Sequence, residues 1–186
     1  MKFEIAKLSG AVTQVLGIAI AWLALAELNA WIFSDLEQSP NAHWIFLPAA
    51  FRPLVILMFG RTGAAGLVLG AFLTVYGTTG GGPLHEVIFS VILGVTPWIA
   101  VSAGKWMMDI PHNLAGLGPR HIILLCTLCA SANAVMLNGY LWATGRLEGG
   151  GTQILAVFVG DLLGAALLLL IISTALALAF PSRSRG

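Results

Sequence analysis

Charged residues are scarce in this chain of 186 residues. Asp, Glu, Lys and Arg make up only 9% of it, whereas 58% of its residues are hydrophobic and its mean hydropathy is +0.92. Soluble globular proteins carry about 25% charged residues, and a soluble domain this poor in charge could not cover its own core. The composition therefore excludes an ordinary soluble enzyme and a disordered chain, and it indicates a protein of the lipid bilayer.

Basic residues, cysteines and histidines are also few. Nine Lys and Arg balance eight Asp and Glu, so no basic face is left for a nucleic acid. Cys126 and Cys129 share a helix face, but without further Cys or His nearby we interpret them as small core residues. The one conceivable metal set, His43, His85 and Glu86, has no ligand spacing. We therefore predict no metal, no cofactor and no nucleic-acid partner.

Long apolar runs fill most of the chain. A transmembrane helix needs about 20 mostly apolar residues, and six such runs are separated by charges and by Gly and Pro clusters. We predict an all-α polytopic membrane protein, a single domain of residues 1–186 that forms a bundle of six transmembrane helices. Only Arg61 separates the second span from the third, so these two should form a tight helical hairpin. The predicted spans are residues 8–28, 44–60, 62–79, 84–104, 121–143 and 152–180.

The Lys and Arg of the loops set the predicted orientation. With six spans, seven of these residues fall on one side of the membrane and only Arg146 on the other, and the excess belongs in the cytoplasm. Both termini are therefore predicted to be cytoplasmic, in a bacterial-type inner membrane. The alternative is that the first apolar run is a cleavable signal peptide, which would leave five helices and an outside N-terminus. The seven residues are Lys2, Lys7, Arg61, Lys105, Arg120, Arg183 and Arg185.

Two charged residues fall deep inside the predicted spans. Arg52 lies about eight residues from the outer end of the second span and Asp161 about nine from that of the sixth, so both sit about 12–14 Å deep at about 1.5 Å per residue. A charge at such a depth costs about 2.5–3.5 kcal/mol on insertion scales. Equal depth and opposite sign predict an interhelical ion pair, which serves either as a structural clip or as a functional polar centre.

Other polar side chains share the outer half of the bundle. With Arg52 as an anion anchor, they could line an outward-open pocket for an unknown small ligand. For any single one of them, hydrogen bonding between helices is the favoured interpretation. The supporting residues on this interpretation are Glu27, Thr74, Asn133 and Asn138, with Tyr76, His43, His85 and Glu86 near the outer mouths of the spans.

Glycines mark one face of the third predicted span. Gly63, Gly66, Gly70 and Gly77 fall on one face together with Thr74, and Gly66 and Gly70 have the spacing that lets two helix backbones approach closely. We interpret this stripe as a packing surface for another helix of the same chain. A second protomer is the alternative partner.

Several of these motifs also stand in a familiar order. They are Phe46-Leu47-Pro48-Ala49-Ala50, then Phe59-Gly60-Arg61, the stripe from Gly63 to Gly70, and Gly160-Asp161-xx-Gly164. This order, which covers about a third of the chain, resembles the MASE1 family of integral membrane sensory domains. The resemblance implies a stand-alone sensory or accessory module that binds a ligand or partner in its outer pocket and passes the state to another membrane protein.

Two further function classes fit the sequence. Six spans in under 200 residues, a Gly-rich hairpin and small residues on the first helix also resemble the substrate-binding subunits of energy-coupling-factor importers. A structural or assembly subunit of a larger membrane complex is the third hypothesis. We do not expect an enzyme, because no Ser or Cys with a His base, no paired carboxylates and no His-Glu metal motif lies in a common plane.

Overall fold

The computed structural model describes residues 2–39, 42–78, 80–111, 113–114 and 116–179, and five long helices make up most of this part of the chain. Arg183, Arg185 and the predicted span ends at residues 79 and 180 lie outside it. The five helices are long and apolar enough to cross a membrane. They are α1 (Lys2–Phe33), α2 (Pro48–Val75), α3 (Pro83–Met107), α4 (Pro119–Ala143) and α5 (Gly150–Ala179).

A short connection joins α1 to α2 at one end of the bundle. It begins with a 3-10 helix, Ser34–Leu36, and continues as an antiparallel ribbon of two strands, β1 (Glu37–Ser39) and β2 (Ala42–His43). The helix α2 then starts at Pro48, where a missing N–H breaks no helical hydrogen bond. The residues before it, 44–47, were predicted to open the second span but lie outside any helix.

The sequence predicts six separate spans, and the structure does not show them. The predicted second and third spans, 44–60 and 62–79, fall in the single element α2, which is interrupted at Gly60 by a backbone with φ 54° and ψ −121°. The chain doubles back at Gly60. The evidence is that a Cβ on Gly63 would lie 2.8 Å from the carbonyl oxygen of Val55, so the two halves of α2 lie side by side. Glycine adopts this positive φ without the steric penalty that other residues incur.

The two limbs of α2 are both short. We call residues 48–59 the first arm and residues 61–75 the second arm. At 1.5 Å per residue they are about 18 Å and about 22 Å long, and the hydrocarbon core of a bilayer is about 30 Å thick. Each limb alone is shorter than this core, and α2 taken whole counts as one of the five helices that are long and apolar enough to cross a membrane.

The direction of the helices follows from contacts along α1. Thr62 Oγ1 donates to Gln14 Oε1 at 3.3 Å, and Trp22 Nε1 donates to Thr74 Oγ1 at 3.2 Å, so α1 and the second arm run parallel. The first arm runs the opposite way because α2 doubles back. Within the described residues, α2 contacts each of the other four helices and lies at the centre of the bundle.

Glycine allows α1 to approach the second arm closely. A Cβ on Gly66 would lie 2.6 Å from Ile18 Cβ, and one on Gly70 would lie 2.8 Å from Trp22 Cβ. Together with Gly63, which faces the first arm, these glycines pack within the chain, as their spacing predicts. We call the contact of Gly66 and Gly70 with Ile18 and Trp22 the glycine seam.

Gly77 does not belong to this seam, although the sequence predicts it there. The helix α2 ends at Val75, and Gly77 lies in the turn that follows with φ 73°. Its Cβ position has nothing within 4 Å. Its backbone N–H instead donates to Glu86 Oε1 at 2.9 Å, which fixes the turn to the start of α3.

The cysteines lie in the core of the bundle. Cys126 is 7% exposed and packs against Ala49, Ala50 and Ala165, and Cys129 is 3% exposed. Both carry free thiols. Their small side chains fill the space where α4 meets the first arm and α5.

Candidate functional site

Arg52 and Asp161 meet in the interior of the bundle. Arg52 is on the first arm of α2, next to Pro53, and Asp161 is on α5. Arg52 Nη1 donates to Asp161 Oδ2 at 2.8 Å, and the two side chains are only 3% and 4% exposed. The structure therefore contains the ion pair that equal depth and opposite sign predict. Neither charge is left alone at the surface of the bundle.

Two glycines of α5 position this pair. The segment 43–47 lies directly on α5, and Phe46 N–H donates to the carbonyl of Gly160 at 3.0 Å. A Cβ on Gly160 or on Gly164 would collide with backbone carbonyls of that segment. The glycines thus hold the start of α2 beside Asp161. Their place in the sequence motif is explained by this backbone contact.

Two aromatic rings pack against the guanidinium of Arg52. Its Cζ lies 5.4 Å from the centroid of the Trp22 ring and 5.1 Å from that of Phe46. The two rings are themselves 6.0 Å apart in an edge-to-face arrangement. Cation–π attraction of this kind is strongest where water is excluded. It helps to keep a charged guanidinium inside the bundle.

Asn133 of α4 joins the ion pair. Its Nδ2 donates to Asp161 Oδ2 at 2.7 Å, so one carboxylate oxygen accepts hydrogen bonds from both Arg52 and Asn133. Arg52 Nε and Asn133 Oδ1 are also buried, and neither has a hydrogen-bond partner among the residues that the structure describes. Such an unpaired polar atom costs about 1–3 kcal/mol, and in a native protein it calls for an explanation.

A cavity of about 180 Å³ lies beside this cluster. Arg52, Asp161 and Asn133 form part of its wall, and the exposed side chains of Glu27 and Thr74 also line it. The rest of the wall is largely apolar and comes from all five helices. An engineered cavity of about 150 Å³ holds a benzene molecule, so this one has room for a small organic ligand.

Four other polar residues predicted for the pocket lie elsewhere. Asn138 is buried but does not line the cavity, and its Nδ2 donates to the Ala134 carbonyl of its own helix at 2.7 Å. His85 Nδ1 and Tyr140 Oη are 2.8 Å apart, which ties α3 to α4. Glu86 holds the turn after α2, as described above. These residues stabilise the end of the bundle at which α3 begins and α4 ends, instead of lining the cavity. Tyr76 is likewise outside the wall.

Two further polar residues line the cavity: Asn29, which was not predicted from the sequence, and His43, which was. Asn29 is buried, and its Oδ1 accepts the N–H of Leu47 at 2.8 Å, which fastens α1 to the start of α2. His43 lines the cavity and stacks on Phe46 with ring centroids 5.8 Å apart. Burial lowers the pKa of His43, against an opposing effect of the nearby carboxylate of Glu37. Its imidazole is therefore uncharged at neutral pH.

Within the described part of the chain, no three His, Cys, Asp or Glu side chains are grouped as metal ligands. Comparisons of the chain with protein-family models, with curated proteins and with solved structures find no match. Interpretation of the site therefore depends on its own geometry.

Proposed function

We propose that this protein is a small multi-pass membrane module that binds a small ligand in the cavity beside Arg52 and Asp161 and carries out no catalysis of its own. The cavity is the observation that supports this function. A purely structural ion pair needs only dense packing around it, whereas here the pair and Asn133 border a space with unpaired polar atoms. A ligand that formed hydrogen bonds with those atoms would remove the free-energy cost of leaving them unpaired.

The resemblance to MASE1 sensory domains supports a sensory or accessory role. Two of the resembling motifs converge on the cavity, since Phe46 and Asp161 both line it. On this proposal the bound state of the cavity is passed to another membrane protein.

Orientation is part of the proposal. The doubling back of α2 leaves the N-terminal half of α1 and the C-terminal half of α5 at the same end of the bundle, away from the cavity. The excess of Lys and Arg at that end assigns it to the cytoplasm. The cavity then lies at the non-cytoplasmic side of the inner membrane.

A substrate-binding subunit of a transporter is the second candidate, and one observation favours it. Arg52 is supplied by α2, a helix that contains Pro53 and is interrupted at Gly60. Transporters place interrupted helices of this kind at their binding sites. Uptake of a bound probe into sealed proteoliposomes, alone or with a coupling partner, would separate transport from sensing.

Cysteine accessibility tests the cavity without knowledge of the ligand. Val157 and Ala165 are both on α5 and are 5% and 4% exposed, but only Val157 lines the cavity. A membrane-impermeant methanethiosulfonate added outside intact cells should modify Val157→Cys at least about tenfold faster than Ala165→Cys, because thiol reactivity requires access. The parent, with its buried cysteines, gives the background.

A pair of bulky variants provides the control. Ala30 and Ala24 are both exposed on α1, and only Ala30 lines the cavity. Ala30→Phe should slow the modification of Val157→Cys, and Ala24→Phe should leave it unchanged. Equal rates at positions 157 and 165 would overturn the proposed function. Modification of Val157→Cys from the cytoplasmic side alone would overturn the orientation.

A further inference from the structure

The polar wall of the cavity also indicates the chemistry of its ligand. We propose that the site takes a small zwitterion, an ammonium carboxylate with an apolar side chain about the size of leucine. This inference rests on the proposed binding function and adds the class of ligand to it. The carboxylate, the ammonium group and the apolar body each correspond to a separate part of the wall.

The carboxylate belongs on Arg52. Asp161 accepts from Nη1, and Nε, on a residue only 2% exposed, has no partner in the described part of the chain. Nε and Nη2 form one planar edge of a guanidinium, and such an edge matches a carboxylate with two parallel hydrogen bonds. Arg52 therefore holds Asp161 on one side and offers an anion site on the other.

The ammonium group belongs beside Asn133. Its Oδ1 is a buried acceptor without a partner, and its Nδ2 shares Asp161 Oδ2 with Arg52. The unpaired donor and the unpaired acceptor therefore belong to neighbouring groups that meet on one oxygen atom. The two ends of an α-amino acid are close together in the same way. Glu27, which also lines the cavity, adds a negative charge that favours the ammonium.

The positions of the charges in the wall disfavour the two simpler ligands. The wall holds one guanidinium and two carboxylates, those of Asp161 and Glu27. A plain anion would bring a third carboxylate to a single positive charge, and a plain cation would lie next to Arg52. Like charges at short range in a site of low dielectric are strongly unfavourable. A zwitterion satisfies the unpaired atoms of Arg52 and Asn133 and adds no net charge.

The apolar body of the ligand fits the rest of the wall. Phe89, Leu93 and Leu137 are buried and line the cavity. A volume of about 180 Å³ is somewhat larger than the engineered cavity of about 150 Å³ that holds benzene. A branched or aromatic side chain of that size would contact these residues and exclude water from the ion pair.

Three probes of similar shape test the proposal on the purified full-length protein in lipid nanodiscs. L-leucine carries both charged groups, 4-methylpentanoate lacks the ammonium, and 3-methylbutylamine lacks the carboxylate. Isothermal titration should show that L-leucine binds at least about tenfold more tightly than either analogue, because each analogue leaves one buried polar atom unpaired. Ala30→Phe should abolish the binding, and Ala24→Phe should preserve it.

Arg52→Lys provides the residue-level test. It keeps the positive charge but loses the planar edge, so L-leucine should bind at least about tenfold more weakly, with little change for 3-methylbutylamine. If this variant does not fold, the comparison of the three probes and Ala30→Phe still decides the question.

The possible failures can be told apart. If an analogue binds as tightly as L-leucine and Ala30→Phe blocks it, the zwitterion is the wrong class although the cavity does bind ligands. If none of the three binds while Val157→Cys is modified rapidly, water alone meets the polar atoms and the zwitterion is excluded. If Val157→Cys is also unreactive, the proposed function fails with it.

Discussion

The glycine seam and the ion-pair cluster hold the same helix, α2, by opposite means. In the glycine seam, Gly66 and Gly70 bring the second arm against α1 by the absence of side chains. In the cluster, Arg52 and Asp161 join the first arm to α5 through charge. Apolar helices gain no hydrophobic energy from each other inside a bilayer. Close backbone packing and polar contacts are therefore the two ways to hold these helices together. Substitutions in the two regions should lower the free energy of unfolding by different amounts.

Trp22 connects these two regions. Its Cβ is the atom that Gly70 accommodates, its Nε1 donates to Thr74, and its ring packs against the guanidinium of Arg52. The position of this ring thus depends on the glycine seam, while the environment of Arg52 depends on the ring. Packing at the glycine seam therefore affects the shape of the cavity beside the ion-pair cluster.

The largest expected effect is the loss of one partner of the ion pair. Asp161→Asn leaves a guanidinium buried without its counter-charge, which costs about 3–5 kcal/mol for a buried pair. We expect a correspondingly lower free energy of unfolding in denaturant titrations of the detergent-solubilised protein. Glu27→Gln is the matched control, because Glu27 lines the same cavity but is exposed, and it should change stability by no more than about 0.5 kcal/mol.

The double variant sharpens this result. Arg52→Gln combined with Asp161→Asn removes both charges and should be more stable than either single variant. A coupling energy near zero in this cycle would contradict a cooperative pair. If the double variant folds but no longer binds L-leucine, the pair belongs to the ligand site, and retained binding would make it a structural clip.

The ion pair could be predicted from the sequence because depth is simple arithmetic. A residue's distance from the end of an apolar run approximates its height in the bundle, even though α2 begins at Pro48 and not at residue 44, and opposite charges at similar height have few other partners. Height does not fix which way a side chain faces. Asn133 and Asn138 were predicted together on height alone, yet only Asn133 lines the cavity.

The two arms of α2 and the segment 43–47 show a second feature that could not be predicted from the sequence. Run length suggested two full spans around Arg61, but α2 begins only at Pro48 and turns at Gly60, so each arm is short. The segment 43–47 lies on α5 through contacts with Gly160 and Gly164. Arg52 and Asp161 could be matched by their opposite charges, but Gly160 and Gly164 carry no such signal, so their contact with segment 43–47 could not be predicted.

The glycine seam should show an intermediate effect. Gly66→Ala and Gly70→Ala add a Cβ where Ile18 and Trp22 already stand, and overpacking of this kind costs about 1–3 kcal/mol. Gly17→Ala is the control, since nothing lies within 4 Å of its Cβ position. It should leave stability unchanged or raise it by about 0.5–1 kcal/mol, because alanine favours the helix.

Thermal unfolding in detergent measures these three glycine variants against the parent. If Gly66→Ala and Gly70→Ala unfold at the parent's midpoint, the seam is not tightly packed and the contrast with the ion pair is lost. Because Gly70 accommodates Trp22, Gly70→Ala should in addition weaken ligand binding more than Gly66→Ala does.

The smallest expected effect is a dependence of stability on pH at the rim of the cavity. Burial lowers the pKa of His43, partly opposed by Glu37, so the folded protein favours the neutral imidazole. The unfolded chain, with an ordinary histidine pKa of about 6.5, then binds more protons below that pH. The contribution of His43 should therefore be fully present above about pH 6.5 and decline as the pH falls toward the lowered pKa.

Between pH 7.5 and pH 5.5 the parent should lose up to about 1 kcal/mol more of its free energy of unfolding than His43→Gln. Gly66→Ala, whose substitution adds no titratable group, should differ from the parent by the same amount at both pH values. Equal losses of stability in the parent and in His43→Gln would show that His43 does not cause the pH dependence. The region of the cavity around His43 would then be as insensitive to pH as the glycine seam.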